Sequence, residues 1–369
     1  MEYWGFELGP IRPPSEAFSL LIRITRNCHW NRCTFCPVYK DREFSTRPVE
    51  HIKKDIDSIW RYVEHLKGTK SEEEIMNLSD QTYSLDPHAY RSALLWYRNG
   101  MQSIFLQDAD SLIIPPKDII DILDHLRNRF PSIERITSYA RSSTIAKIDD
   151  KDLKAIANAG LNRIHIGLES GSDDILKRVR KGASKKIHIS AGLKVKEAGM
   201  ELSEYLIPGL GGKKYSDEHA LESADALNEI NPDFIRLRQL ALPDGKALYE
   251  NFERCSDVDV VRELRLFVEN LEVVNTKIVS DHILNLIPEI DGQLPEAKKR
   301  ILNIIDQFLD LDPVTQTQYQ LGRRIGIFQG LKDLQNSEKM MRVKKIYDSR
   351  GISPDNIESI TSQLMQQFI

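Results

Sequence analysis

The chain has 369 residues, 41% hydrophobic and 29% charged, with a formal net charge of −4. That length holds one large α/β domain plus an appendage and buries an ample core. The absence of a basic excess gives no clear nucleic-acid signal. The start, Met1-Glu2-Tyr3-Trp4-Gly5-Phe6-Glu7, has neither the basic residues nor the apolar stretch of a signal peptide, and no apolar run approaches bilayer-spanning length. A soluble cytoplasmic protein with no membrane partner is expected.

Residues 1–18 read as an N-terminal arm. From 19 to 245, short β-rich runs alternate with amphipathic helical stretches. Strands are expected at Leu20–Thr25, Ser103–Gln107, Arg135–Ser138, Arg163–Gly167, Glu201–Ile207 and Phe234–Gln239. Helices are expected at Lys117–Arg129, Asp150–Ala159, Ser184–Ala198 and Ser216–Ile230. Ser172-Asp173-Asp174 reads as a capped helix start, and Lys177–Lys181 followed by Gly182 as its cationic end. The Ser-, Glu- and Asp-rich stretch Lys67–His88 reads as a solvated excursion. Six β–α repeats in order imply parallel strands with right-handed crossovers. Beyond the turn Pro243-Asp244-Gly245, residues 246–369 read as a helical C-terminal region without a clear strand, with helix starts at Asp312-Pro313 and Ser353-Pro354-Asp355.

Three of the four cysteines fall within nine residues, Cys28-His29-Trp30-Asn31-Arg32-Cys33-Thr34-Phe35-Cys36, directly after the first strand; the fourth is Cys255. Cysteines this sparse and clustered read as metal ligands rather than a disulfide framework. Three thiolates leave one iron of a [4Fe–4S] cluster open to an outside ligand, whereas an electron-transfer cluster usually takes four. A structural zinc site is the alternative, with His29 or Cys255 recruited as the fourth ligand. No second C-x2-C pair is present. Cys255 reads as a buried thiol.

The loop resembles the cluster-binding loop of the radical S-adenosylmethionine (radical SAM) superfamily, whose usual spacing is C-x3-C-x2-C with an aromatic residue before the third cysteine. Cys33-Thr34-Phe35-Cys36 matches the second half; the first gap holds four residues instead of three. The segment His165-Ile166-Gly167-Leu168-Glu169-Ser170-Gly171-Ser172-Asp173 looks like that of the subgroup containing elongator-type enzymes, methylthiotransferases and coproporphyrinogen-dehydrogenase-like proteins. The resemblance implies a six-stranded (β/α)6 partial TIM-type barrel over 19–245, with 246–369 packed beside its mouth. Sites in such folds lie at the C-terminal strand ends.

The resemblance further implies that Cys28, Cys33 and Cys36 hold a [4Fe–4S] cluster and that S-adenosylmethionine binds its open iron. Phe35 would pack near the adenine. Gln107, Asp108 and Asp110 stand where the superfamily holds the methionyl amino group. Ser138 and Arg141 follow the third strand, and the Arg141 guanidinium suits the methionyl carboxylate. Glu169 would accept from ribose hydroxyls, with Ser170 beside it and Gly171 admitting a close backbone approach. Pro208 lies in the glycine-containing turn beside the adenosine, and Leu237 belongs to an aliphatic wall behind the adenine.

The expected activity is radical generation by reductive cleavage of S-adenosylmethionine on a small-molecule or unknown substrate. The alternative is a cluster- and SAM-binding haem chaperone or carrier without radical turnover. Only one set of cluster cysteines is present, so a single-cluster enzyme is expected. Arg23, Arg26, Arg32, Lys40, Arg42, Arg47, Lys53 and Lys54 surround the cysteines and suggest a basic field for an acidic electron donor such as flavodoxin or ferredoxin.

Overall fold

The computed structural model describes residues 2–68, 86–243 and 245–365. Most of the Lys67–His88 excursion, and Asp244 of the expected turn, lie outside the described residues. The chain forms an α/β fold whose eight principal strands are mostly parallel. It divides into two compact units: Met1–Asn31, Cys36–Ile166 and Ser190–Leu202 in the first, and Arg32–Phe35, Gly167–Ile189 and Ser203–Ile369 in the second.

In the first unit, β1 (Leu20–Arg23) leads through β2 (Thr25–Arg26) into the cysteine loop, and β3 (Ser45–Thr46) returns antiparallel to β2. Strands β4 (Ser103–Gln107), β5 (Arg135–Ala140) and β6 (Arg163–Glu169) follow. β1 pairs with β4, β4 with β5 and β5 with β6, all parallel. The centre of β4, Ile104-Phe105-Leu106, is fully buried, as a parallel strand covered on both faces must be. The helix Val49–Gly68 buries Ile52, Ile56, Ile59, Val63 and Leu66 along one stripe. Each such burial contributes roughly 1.5–3 kcal/mol. The helix Pro116–Arg129 starts on Pro116 and buries Ile119, Ile122, Leu123 and Leu126.

The N-terminal arm belongs to this unit. Tyr3 donates to Asp55, Glu7 pairs with Arg26, and Gly9 donates its N–H to Gln107. Buried Glu16 accepts from Ser19 and lies 3.6 Å from His165. That histidine is a packed strand residue, edge-on to Phe105 and Tyr139.

In the second unit, β7 (Glu201–Leu206) pairs with β8 (Phe234–Leu237) and β8 with β9 (Thr276–Val279), both parallel. β10 (Gly292–Leu294) closes antiparallel on β9. The helices Ser216–Ile230, Asp257–Glu269, Lys298–Leu309 and Pro313–Arg324 share an apolar core with these strands, including Leu206, Ile235, Leu237, Phe267, Phe308 and Tyr319.

The strand count of six and the strandless C-terminal region need correction. β9 and β10 both lie within 246–369. They are four and three residues long, too short for an alternating pattern to emerge. Among the described residues, no helix is long and apolar enough to cross a membrane.

Candidate functional site

The cysteine loop begins where β1 and β2 end. Asn27 and Asn31 both take positive φ, 65° and 40°, a conformation Asn tolerates better than most residues. Asn31 sits in the four-residue first gap, and its N–H donates to the Cys28 Sγ at 3.5 Å. Its side chain donates to the Tyr39 carbonyl, and Lys40 donates to the Asn31 carbonyl at 3.1 Å. The long gap is thus taken up by a left-handed turn closed on a sulfur.

Asp108 holds both ends of this loop. Its carboxylate is fully buried and accepts from Arg23 at 2.9 Å, from the Asn27 N–H at 3.3 Å and from the Tyr39 hydroxyl. Asn27 immediately precedes Cys28, and Tyr39 lies three residues past Cys36. Burial, then Asp108, pushes the Tyr39 phenol far above its ordinary value, so it stays a donor. Gln107 is equally buried, but its amide faces the N-terminal arm, accepting from Gly9 at 2.9 Å and donating to the Ile11 carbonyl at 2.7 Å.

Asp110 organises the next strand end. It accepts from the Arg141 N–H at 3.2 Å and from the Thr144 hydroxyl at 2.5 Å, and lies 3.4 Å from His29 Nδ1. Complete burial raises its pKa to about 7 against the lowering effect of those donors. The Arg141 guanidinium stands 5.2 Å from the Trp30 ring centre. The Ser138 hydroxyl donates to the Leu106 and Tyr139 carbonyls.

In the second unit, Thr34 donates its N–H to the Val179 carbonyl at 3.0 Å, and Phe35 packs on an apolar cluster that includes Ile175, Val179, Ile207 and Leu210. β6 ends on Glu169, whose φ of 65° turns its carboxylate onto Lys181 at 2.9 Å. The Lys181 ammonium is also 5.9 Å from the Phe35 ring centre. Glu204 on β7 is fully buried with neither carboxylate oxygen hydrogen-bonded among the described residues. Burial lifts its pKa well above the carboxylate range; Lys181 lowers it and Glu169 raises it.

The three residues after Glu169 face inward. Ser170 meets His219 Nδ1 at 3.0 Å, Gly171 donates its N–H to Ser223 at 2.9 Å, and Ser172 donates to Glu218. Ser172 also caps the helix Asp173–Arg178, accepting from the Ile175 N–H. A Cβ at Gly171 would lie 2.1 Å from the Glu222 carbonyl oxygen. The close approach that demands glycine is to the helix Ser216–Ile230. His219 reaches the Ile207 carbonyl at 2.9 Å, and Glu263 accepts from the Gly209 N–H at 2.7 Å. Pro208 and Leu237 line a small apolar cavity with Val260, Val261 and Leu264 against the helix Asp257–Glu269.

None of the four cysteines is in a disulfide. Cys28 and Cys36 are half-buried, while Cys33 and Cys255 are buried. Burial, then Glu263 and Asp259, pushes the Cys255 thiol up to about 12. Cys28, Cys33 and Cys36 fit a cubane cluster by donor chemistry: three soft thiols on one loop, with a backbone N–H already on the Cys28 sulfur. Each would ligate a different iron, so they need not converge on one point. Among the described residues, no three His, Cys, Asp or Glu side chains form a cage for a single ion.

The basic field is weaker than the sequence suggests. Arg23 is paired with Asp108, Arg26 with Glu7, Arg47 with Asp55 and Lys53 with Asp121. Lys181 and Glu204 were missing from the sequence-based set. Lys181 reads there as one of several helix-terminal cations, and Glu204 as one acid in a strand; only the fold gives them distinct surroundings.

A family model described as the radical SAM superfamily matches residues 22–224. The 4′-phospho-dehydrooxetanocin synthase of Priestia megaterium is 28% identical over 227 residues, 57% of this chain and 26% of that protein. A tRNA-2-methylthio-N(6)-dimethylallyladenosine synthase of Fusobacterium nucleatum is 27% identical over 216 residues, 58% of this chain and 41% of that protein. The chain thus spans less than half the length of these relatives. Among solved structures, the coproporphyrinogen III oxidase from Escherichia coli, described as a radical SAM enzyme, has a TM-score of 0.46 at 17% identity, covering 68% of this chain and 52% of that one.

Two outcomes test the local architecture. Asp108→Ala should lose about 3–5 kcal/mol of stability, the scale for removing one partner of a buried ion pair, and should bind less iron on reconstitution. Thermal melting and iron assay check both; wild-type values in each would remove Asp108 from its role. Gly171→Ala should cost about 1–3 kcal/mol from overpacking, read as a lower urea midpoint.

Proposed function

This chain belongs to the radical SAM superfamily of enzymes, and from that premise we propose that it reductively cleaves S-adenosylmethionine at a [4Fe–4S] cluster held by Cys28, Cys33 and Cys36. The observation that carries the reading is the set of three cysteines outside any disulfide, on the loop after the first strand and inside the matched span. Held by these three cysteines, a [4Fe–4S] cluster would supply the one-electron reduction that cleavage of the sulfonium requires.

The protein's residues bind and orient. Arg141, steadied by Asp110 on its backbone and by the Trp30 ring, offers a planar fork to the methionyl carboxylate. Glu169 accepts from ribose hydroxyls, and Lys181 balances its charge. Ser170, Gly171 and Ser172 fix Glu169 by packing on the helix Ser216–Ile230. Residues 19–245 form the cofactor-bearing core, and 246–369 shape the substrate side. An acidic flavodoxin or ferredoxin would deliver the electron.

Prepared without oxygen and reconstituted, the protein should carry about four irons per chain and release 5′-deoxyadenosine from S-adenosylmethionine with dithionite. Alanine at Cys28, Cys33 or Cys36 should abolish both, and Cys255→Ala neither. Glu169→Ala should keep the iron and weaken S-adenosylmethionine binding by roughly 1–3 kcal/mol. A cluster lost with Cys255, or haem binding without 5′-deoxyadenosine, would contradict the enzyme reading.

A further inference from the structure

The strand ends of β8 and β9 carry basic groups that the proposed cofactor chemistry leaves unused. β8 and β9 run parallel, with Arg236 opposite Val279, so Arg238 on one and Asp281-His282 on the other follow at the same C-terminal level. Asn285 stitches these two ends. It donates to the Leu237 carbonyl at 2.9 Å and to Ser280 at 3.0 Å, and accepts from the Gln239 N–H at 2.9 Å. Arg238 itself donates its N–H to the Leu206 carbonyl. Three consecutive residues are therefore fixed at the backbone. Leu237 and Gln239 are buried, and Arg238, alternating with them, is exposed.

Two other arginines on this side of the unit are already paired. Arg236 is paired with Asp281 at 2.5 Å, and Arg324 with Asp257 at 2.6 Å. Arg238 has no side-chain hydrogen bond or ion pair among the described residues. His282 accepts the Leu284 N–H on Nδ1 at 3.4 Å. Burial, then Arg238 and Arg324, holds its pKa down at about 4. A neutral imidazole with Nδ1 as acceptor carries its proton on Nε2, which is then a donor. A guanidinium and an N–H donor on neighbouring strand ends suit an oxyanion.

We propose that Arg238 and His282 form a binding site for an oxyanion of the substrate, a carboxylate or a phosphate, at the ends of β8 and β9. The proposal deepens the radical SAM reading by giving the substrate's charged group a place, and rests on that reading only for the ligand's being substrate. Arg238 supplies charge and a bidentate fork, His282 a single directed N–H, and Asn285 the fixed spacing of the strands that bear them.

The test is a titration of the full, anaerobically reconstituted protein with inorganic phosphate and, separately, acetate, at ionic strength held constant with chloride. The His282 imidazole resonance, assigned by its absence in His282→Gln, is followed by NMR. A saturable shift and a rise in the apparent His282 pKa are expected with at least one probe, and the tighter probe names the group. Arg238→Gln should weaken binding about tenfold or more, Arg238→Lys should recover part of it, and Arg262→Gln, at an exposed arginine paired elsewhere, should change nothing. No saturable shift with either probe, or an unchanged midpoint in Arg238→Gln, overturns the site. The titration involves no turnover, so its failure is read apart from any failure of S-adenosylmethionine cleavage.

Discussion

One buried carboxylate fixes the geometry of the cysteine loop. A charge with no solvent contact is tolerated only when its lone pairs are taken, and those of Asp108 are taken by a guanidinium, a backbone N–H and a phenol. Those donors come from β1, from the residue before Cys28 and from the segment after Cys36. Satisfying Asp108 therefore forces the chain to leave and re-enter at set points, which shapes the loop before any iron arrives. Gln107, its neighbour on β4, fastens the N-terminal arm in the same way. The cluster loop and the arm are thus registered on a single strand end.

The second unit solves a similar problem with hydroxyls and a helix. Ser170, Gly171 and Ser172 are consumed by packing against Ser216–Ile230, through His219, Ser223 and Glu218. Only Glu169 turns away, on a left-handed backbone, to meet Lys181. Burial raises the pKa of Glu204 beside this pair, and the Lys181 charge lowers it. Within this motif three residues make side-chain or N–H contacts with one helix, and Glu169 pairs with Lys181.

The repeating core was legible because its signals are local. β4 and the helix Ser216–Ile230 begin and end where the apolar pattern and the turns put them, and Ser172 caps the helix its sequence announces. β9 and β10 escaped, since strands of four and three residues amid helices leave no period to read. The site was legible as positions, less so as roles. Gln107, Asp108, Asp110, Ser138 and Gly171 stand at the strand ends expected of them, yet their polar atoms are spent on the arm, the loop, a neighbouring turn, two carbonyls and a helix. Which partner an amide or carboxylate finds is settled by contacts far away in sequence, and composition does not encode it. Lys181 was overlooked for the same reason.

The central claim is that three thiolates on a preshaped loop leave one iron of the cluster for S-adenosylmethionine. Electron paramagnetic resonance of the dithionite-reduced protein, recorded with and without S-adenosylmethionine, tests it most directly. A [4Fe–4S] signal is expected whose g-values shift on addition of S-adenosylmethionine and return when it is removed. A signal indifferent to S-adenosylmethionine at saturating concentration, from a cluster that also needs Cys255, would contradict it.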